Sequence, residues 1–297
     1  MGGYVNVAIP ASLTEEIKIC SQLEFVPEKQ NVIIDWGDGT ISELKNAGND
    51  NNITVSNNPT YNNLDYVCSH TYNKNGKYIV KIYGTTYHWF LTSDVSKNLI
   101  CRIFDHDLPI ASFINRFAST FKGSNHLLNV VMFEKSGAQI LNSSMMFNSC
   151  QNLLSVTGFT SSLSRLIQCN NMFSGCKNLT FTDFKLPSLI EGSGIQSLLH
   201  NCQKLQIDLV NLFTNWNILS GQKVDLTKTF VGCKQITCSD IDYVANKLWC
   251  NKDIEWKLPE NVKYLPFSEC SKELRAMIPV SWGGTNNNID IALKITE

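Results

Sequence analysis

The feature that most constrains this chain is an internal repeat whose unit reads Phe-x-x-Cys-x-x-Leu. The centres of successive units lie 26 residues apart three times, and then 31 and 37 residues apart. These centres are Ser124, Cys150, Cys176, Cys202, Cys233 and Cys270. The first position of each unit is held by Phe121, Phe147, Phe173, Leu199, Phe230 and Phe267. A fixed period in this range predicts a solenoid, in which each unit buries its apolar face against its neighbours.

Within a unit the apolar residues follow a helical spacing. In the third unit they are Leu166, Cys169, Met172, Phe173, Cys176 and Leu179. This spacing predicts one apolar face of a short helix. We expect Asn152 and Asn178 to end their helices in the left-handed conformation, with a short strand such as 153–156 following. Helix plus short strand predicts an α/β, leucine-rich-repeat-like solenoid.

The units resemble the BspA-like leucine-rich repeats and the related mycoplasma-lipoprotein repeats, which carry Met-Phe-x-x-Cys-x-x-Leu. Two units match this form fully, at Met146-Phe147 and Met172-Phe173. The last two units depart from it, and their longer spacing predicts insertions or irregular turns. The resemblance implies an adhesion or interaction module, because members occur on bacterial and protist surfaces and in bacteriophage virions.

The first 95 residues have the pattern of short strands joined by polar turns. A strand at 32–34 leads into a turn that consists of Asp35, Trp36, Gly37, Asp38 and Gly39. The glycines allow positive φ, and the carboxylates can accept backbone N–H bonds, so the chain can reverse tightly there. Later, Tyr78 and Val80 alternate with lysines and Ile79, which is typical of a half-buried strand.

The Trp-Gly-Asp-Gly-Thr turn and the later His-Thr-Tyr and Gly-x-Tyr-x-Val segments resemble the polycystic-kidney-disease (PKD) type of immunoglobulin-like sandwich. The resemblance implies that residues 1–95 form an all-β sandwich. The chain departs from that family at 46–63, where the loop is longer and richer in Asn. This loop is either a solvated insertion or a contact surface. Such sandwiches often precede BspA-like repeats, so the two resemblances cover nearly the whole chain.

The sequence thus predicts a sandwich at 1–95, a solenoid at 96–276 and a C-terminal cap with a terminal strand at 277–297. Pro279 and the Gly283-Gly284 pair break the repeat pattern, as expected of a cap that covers the open end of a solenoid. From Ile289 to Ile295 the apolar residues alternate, which predicts a strand. That strand pairs either within the chain or with another subunit.

The eleven cysteines are the most conspicuous reactive groups. Several of them recur at one position of the repeat, which predicts reduced thiols that pack as a buried ladder in a reducing compartment. His200-x-Cys202 and the pair Cys233 and Cys238 are too sparse for a zinc site. The Asp pair of the turn supplies too few of the roughly six to eight oxygens that calcium requires. We expect neither a metal nor a cofactor.

Charge and hydropathy exclude two further classes of partner. Lys and Arg total 25 against 26 for Asp and Glu, and no cluster of like charge occurs, so nucleic-acid binding is not expected. No apolar run reaches the roughly 18 residues that cross a bilayer, so membrane insertion is not expected. The first ten residues lack the basic and apolar regions of a signal peptide.

No nucleophile elbow, phosphate loop, dinucleotide fingerprint or His-Glu-x-x-His motif is present. The acidic residues at 105–107, and the pair Asp240 and Asp242, are the best candidates for the two carboxylates of a glycosidase. Short acidic groups of this kind are more often solvated. We therefore expect no catalytic residue.

The two resemblances, together with the lack of signal-peptide features in the first ten residues, imply a non-enzymatic virion surface protein of a bacteriophage, such as a head or tail decoration or a fibre-associated protein. Its expected partners are other virion or surface proteins, or a host surface protein or glycan. It would be made in the host cytoplasm and reside in the virion. The alternatives are a bacterial cell-surface adhesin and, from another class, a carbohydrate-active enzyme.

Overall fold

A computed structural model describes residues 3–9, 17–24, 32–44, 53–58, 63–74, 76–83, 100–104, 118–131, 142–158, 166, 168–186, 194–214, 216, 218 and 220–290. The strands within these ranges are β1 Gly3–Ile9, β2 Ile17–Glu24, β3 Val32–Asp35, β4 Ile41–Leu44, β5 Ile53–Asn58, β6 Asn63–His70, β7 Gly76–Tyr83, β8 Ile100–Phe104, β9 Asn129–Val131, β10 Ser155–Thr157, β11 Phe181–Thr182, β12 Lys223–Asp225 and β13 Glu255–Lys257. The helices are α1 Leu209–Phe213, α2 Ile241–Lys247 and α3 Lys272–Met277.

Eight of the strands form one sheet in the order β11-β10-β9-β8-β1-β7-β3-β4. Strand β8 pairs antiparallel with β1 and parallel with β9. It therefore joins the antiparallel N-terminal strands to the parallel strands of the repeat units. The sheet crosses the predicted boundary between residues 95 and 96. A separate three-stranded sheet has the order β2-β6-β5, and the assignment of this region to the PKD type stays a prediction.

One face of the long sheet is buried. Val80 of β7, Val130 of β9, Val156 of β10 and Thr182 of β11 all lie on this face. The residues before and after them in the same strands are more exposed, as the two-residue period of a strand requires. The buried apolar residues of the N-terminal strands and of the repeat units belong to one continuous core.

The repeat units themselves are tandem tight turns that stack on one another. In the third unit the N–H of Phe173 donates to Leu198 O in the next unit (3.0 Å), whereas the N–H of Cys176 donates to Phe173 O in its own unit (3.0 Å). Along 171–176 the donors alternate between these two directions. The backbone of each unit is therefore satisfied partly by itself and partly by the following unit.

The predicted helix within each unit is wrong. Asn171 and Gly175 have φ of 57° and 79°, and the equivalent residues of the other units are also left-handed, except Leu265 of the last unit. An α-helix needs negative φ throughout and bonds each N–H to the carbonyl four residues back. Asn152 and Asn178 are not left-handed. The helical spacing arose because successive tight turns also return an apolar residue to the core every three or four positions.

Stacked phenylalanine rings run through the centre of the units. The rings of Phe121 and Phe147 are 5.5 Å apart and nearly parallel, as are those of Phe147 and Phe173 at 5.6 Å. Phe230 and Phe267 stack at 4.9 Å. All five rings are fully buried, so every unit except the fourth, which has Leu199 at this position, contributes one aromatic layer to the core.

The two longer repeat steps contain helices, whereas the described residues of the shorter steps contain none. Helix α1 lies between the units centred on Cys202 and Cys233, and α2 lies between those centred on Cys233 and Cys270. Asp208 and Asp240 cap their N-termini by accepting N–H bonds. Strands β12 and β13 pair in parallel in the same region. The extra residues of these units are thus folded additions on the stack.

The C-terminal residues continue the backbone pairing of the stack. The carbonyl of Trp282 accepts the N–H of Phe267 (3.0 Å), in the place that a further unit would take. The terminal strand predicted from Ile289 does not begin there, because residues 287–290 are helical. Asn286 accepts the N–H of Asn288 (3.1 Å) and so favours a helical start. Residues 291–297 of the predicted strand lie outside the described residues.

Candidate interaction surfaces

The polar turn between β3 and β4 is held by its own aspartates. Asp35 Oδ1 accepts the N–H of Gly37 (3.0 Å), and Asp38 Oδ1 accepts both the N–H (3.0 Å) and the hydroxyl (2.6 Å) of Thr40. Gly37 has φ of 80°, and a Cβ there would lie 2.5 Å from the carbonyl oxygen of Ile79. The turn therefore requires glycine at this position for both backbone angle and space.

A second layer of contacts fixes the same turn from the side of β6. His70 Nε2 lies 2.6 Å from Asp38 Oδ2, and the His70 ring stacks on Trp36 with centroids 4.8 Å apart. Trp36 is fully buried, and its indole N–H donates to Ser42 Oγ (2.9 Å). The Tyr72 hydroxyl donates to the Trp36 carbonyl (2.8 Å). The motif thus forms a closed polar and aromatic network.

These contacts account for the carboxylates of the turn without a cation. Partial burial acts to raise the pKa of Asp38, but hydrogen bonds from Thr40 and His70 outweigh it and hold that pKa below its usual value. Asp35 is occupied by Gly37 and lies near Lys81, with 3.9 Å between Lys81 Nζ and Asp35 Oδ2. Within the described ranges, no three His, Cys, Asp or Glu side chains converge as metal ligands would.

The predicted repeat-core residues are all buried: Phe121, Phe147, Cys150, Phe173, Cys176, Leu199, Cys202, Phe230, Cys233, Phe267 and Cys270. The cysteines share a contact that the sequence did not reveal. Each thiol donates to the carbonyl of the first residue of the preceding unit, as Cys176 does to Phe147 O (3.0 Å) and Cys202 to Phe173 O (3.1 Å). The same bond joins Cys150 to Phe121, Cys233 to Leu199 and Cys270 to Phe230.

Burial disfavours the ionised form of these thiols. It raises the pKa of Cys270 to about 12, and holds the pKa values of Cys176, Cys202 and Cys233 well above the ordinary value for a thiol. A thiol that stays protonated is neither a good nucleophile nor a metal ligand. Cys176, Cys202 and Cys233 are not in disulfides. The ladder therefore serves packing and hydrogen bonding.

The first unit has serine where the others have cysteine. Ser124 is fully buried, and its hydroxyl has no hydrogen-bond partner among the described residues. In every later unit the acceptor at this point is a carbonyl of the unit before. The residues that precede the first unit, 105–117, lie outside the described ranges.

The acidic and histidine candidates do not converge into a site in the described part of the chain. Asp240 caps α2 through Tyr243 N (2.9 Å), and Asp242 lies in the first turn of the same helix. His200 is half-buried beside Ser174, with 3.4 Å between Ser174 Oγ and His200 Nδ1, whereas Cys202 points into the core. The acidic residues at 105–107 are not among the described residues.

Amide side chains bridge successive units along the surface of the stack. Asn142 donates to Gln168 Oε1 (2.9 Å), Asn152 donates to Asn125 O (2.8 Å), and Asn178 donates to Asn152 Oδ1 (3.4 Å). Each bridge spans one repeat period. These ladders explain why the chain is rich in uncharged polar residues, because they link units without placing like charges one above another.

The open face of strands β9 to β11 carries an aromatic residue that sequence reasoning missed. Phe181 is 53% exposed and Leu154, beside it, is 42% exposed. Aligning the units by their central residues would have revealed it, because Asn129 and Ser155 hold the position equivalent to Phe181. The two preceding units have polar residues at this position, so the aromatic residue at 181 is a signal that the sequence alone contains.

Comparison of the chain with protein-family models, curated proteins and solved structures gave no match. In the part of the chain that the structure describes, no helix is both long and apolar enough to cross a membrane. The geometry itself defines stacked tight turns joined by side-chain ladders, with an open sheet face.

Proposed function

We propose that this chain is a non-enzymatic virion surface protein of a bacteriophage, a head or tail decoration or a fibre-associated protein. In this role the stacked units are a rigid scaffold that presents its surface to other virion proteins or to the host. The observation that carries the proposal is the ladder itself. Side chains with reactive groups form hydrogen bonds between units, as the thiol of Cys176 does with Phe147 O.

The use of the polar groups supports a scaffold more than a catalyst. An active site directs an acid, a base or a nucleophile at a cavity and shifts its pKa to suit its task. Here Asp35, Asp38, Asp208 and Asp240 are all engaged in capping or closing turns. The burial of the repeat thiols raises their pKa values and so disfavours the reactive thiolate.

The placement on a virion rests on the resemblance of the turn at Asp35 and of the repeat units to modules found in such particles. The same resemblance supports a bacterial cell-surface adhesin as the alternative. The two differ in location and not in the chemistry of the scaffold. A carbohydrate-active enzyme remains a third class, and it predicts release of product from a glycan.

Location tests the proposal most directly. Phage particles from the source of this gene would be purified by density gradient and digested, and peptides from 118–131 and 168–186 would be quantified by mass spectrometry. The proposal predicts these peptides at a fixed copy number per particle, together with gold labelling by an antibody on intact particles. Peptides confined to the bacterial envelope would instead identify an adhesin, and their absence from particles would overturn the proposal.

A further inference from the structure

The turns of the first five repeat units form one edge of the stack. We define this turn edge by the five residues that follow the first position of each unit: 122–126, 148–152, 174–178, 200–204 and 231–235. Backbone bonds align the turns, as Gly175 N donates to His200 O (2.7 Å) and Asn201 N donates to Val231 O (2.8 Å). The central residue of every turn is buried, whereas the two residues after it are exposed or half-buried.

The turn edge carries positive charge and no negative charge. Its lysines are Lys122, Lys177, Lys204 and Lys234, and all four side chains are exposed. The last three belong to successive units, so one lysine extends from each of three neighbouring layers. These lysines are far apart in the sequence, which is why the sequence shows no cluster of like charge.

The lack of acidic residues extends to both sides of the turn edge. None of the 26 Asp and Glu residues of the chain lies in 118–129, 144–155, 170–181, 196–207 or 227–238, which contain the turns and their flanking residues. The structure describes all five of these segments. No carboxylate of the described residues forms a salt bridge with the four lysines. The acidic residues of the sixth unit, at 269 and 273, mark the end of the region.

Amide side chains lie beside these lysines on the turn edge. Asn152 donates to Asn125 O (2.8 Å), and Asn178, which follows Lys177, donates to Asn152 Oδ1 (3.4 Å). A side-chain amide has two donors and two acceptor positions, so these bonds orient the amides and leave further positions for a ligand. The turn edge thus presents oriented amides together with lysine charges.

We propose that the turn edge binds a linear acidic polysaccharide. This inference rests on the proposed surface role and names the chemical class of one partner. Such a polymer repeats its carboxylates along the chain and has hydroxyl groups between them. The lysines of successive layers suit the carboxylates, and the amides suit the hydroxyl groups. One exposed ion pair contributes little, so a polymer that contacts several layers at once binds better than a single anion.

The composition of the turn edge disfavours other partners. A stable protein interface buries about 800 Å² per partner around apolar or aromatic anchors, and no exposed large apolar side chain of the described residues lies on the turn edge. A single-stranded nucleic acid stacks its bases on aromatic rings, but the turn edge has no Phe, Tyr or Trp. Tight binding to duplex DNA uses roughly 6–10 phosphate contacts, which exceeds the four lysines available.

Polygalacturonate is the probe, because it is a linear polymer with a carboxylate on each sugar. Its fully methyl-esterified form has the same backbone without the charge and is the control ligand. Titration calorimetry with the full chain should detect binding of the acidic polymer and none of the esterified one. Raising the salt concentration from about 50 mM to about 200 mM should weaken binding severalfold, because the lysines displace counterions from the polymer.

Removing the lysines of the three successive layers tests the site. The triple change Lys177→Ala, Lys204→Ala and Lys234→Ala should weaken polygalacturonate binding about tenfold, since each exposed ion pair contributes roughly a factor of two. Changing the same three lysines to Arg should keep the binding, because the charges are retained. Thermal unfolding of both variants reports whether the fold is intact.

The matched control is the triple change Lys185→Ala, Lys252→Ala and Lys263→Ala. It removes the same charge from exposed positions outside the turn edge and should leave binding unchanged. Four outcomes would overturn the inference: no binding of polygalacturonate, equal binding of its esterified form, equal losses in the two alanine triples, or tighter binding of a single-stranded oligonucleotide of the same charge. None of these bears on whether the protein is found in particles.

Discussion

The thiol of Cys176 donates a hydrogen bond to the backbone carbonyl of Phe147, 3.0 Å away in the preceding unit. That carbonyl also accepts the N–H of Cys150 in its own unit (3.1 Å). One acceptor therefore serves both the turn and the stack. Cysteine suits this position because its side chain is small and apolar enough for the core and still carries a donor.

Removing this contact should destabilise the stack. Cys176→Ala loses one buried hydrogen bond and the volume of the sulfur, and we expect a loss of about 2 kcal/mol in the free energy of unfolding. Cys250→Ala is the control, since Cys250 is an exposed thiol, and it should change stability by less than about 0.5 kcal/mol. Urea denaturation measures both. Equal stability of the two variants would contradict the ladder.

The stacked phenylalanine rings contribute more to the free energy of unfolding than the thiol hydrogen bonds do. Phe173 is fully buried and stacks on Phe147, so Phe173→Ala should cost about 3–5 kcal/mol. Phe181→Ala removes the same side chain from an exposed site, and its cost should stay within about 0.5 kcal/mol. A loss below about 1 kcal/mol at Phe173 would mean that its ring does not belong to the core.

Alkaline pH should unfold the protein. The pKa values of Cys176, Cys202 and Cys233 are raised in the folded state by burial, whereas unfolded thiols ionise near pH 8.5, roughly their ordinary pKa. Above that pH the unfolded state releases protons that the folded state retains. The stability that these thiols contribute is thus fully present below the pKa of the thiols in the unfolded chain. It falls as pH rises, by about 1.4 kcal/mol per pH unit for each thiol once the unfolded thiols are ionised.

Urea titrations at pH values between 7 and 10 measure this dependence, and Cys176→Ala should reduce its slope by one thiol's share. A stability that stays constant or increases over that range would show that the repeat thiols are solvated. Alkylation offers a second readout, because Cys250 should react in the native protein while Cys176 should react only after denaturation.

The two glycines of the N-terminal turn offer a matched pair. Both have positive φ, but a Cβ on Gly37 would meet Ile79 O at 2.5 Å, while a Cβ on Gly39 would meet nothing within 4 Å. We expect Gly37→Ala to cost about 3 kcal/mol, from strain and overlap together. Gly39→Ala should cost about 1 kcal/mol, from strain alone. Thermal unfolding compares the variants, and equal losses would contradict the close approach to Ile79.

The position of a residue in the repeat predicted whether its side chain is buried. The sequence did not predict the backbone angles of the units. Phe173 and Cys176 could be assigned to the core because equivalent residues recur every 26 positions. The left-handed conformation of Asn171 could not be predicted from the sequence. Apolar residues three or four positions apart fit tandem turns as well as a helix.

Long-range pairing was the other limit. The turn at Asp38 was evident from its glycines, yet its contact with His70, 32 residues away, required the fold. At the C-terminus, alternation favoured a strand from Ile289, but the local cap at Asn286 favours a helical start. Phe181 lies outside the Phe-x-x-Cys-x-x-Leu motif that assigned the core, and its 53% exposure became evident only from the fold.

A crystal structure of the full chain would test the central claim, that the repeat units are tight turns stacked through carbonyl acceptors. If the units are stacked tight turns, Asn171 and Gly175 have positive φ, and about 3.0 Å separates Cys176 Sγ from Phe147 O. The N–H of Phe173 then donates to Leu198 O in the next unit. An α-helix through 168–176, with each N–H bonded four residues back and Cys176 remote from Phe147, would contradict it.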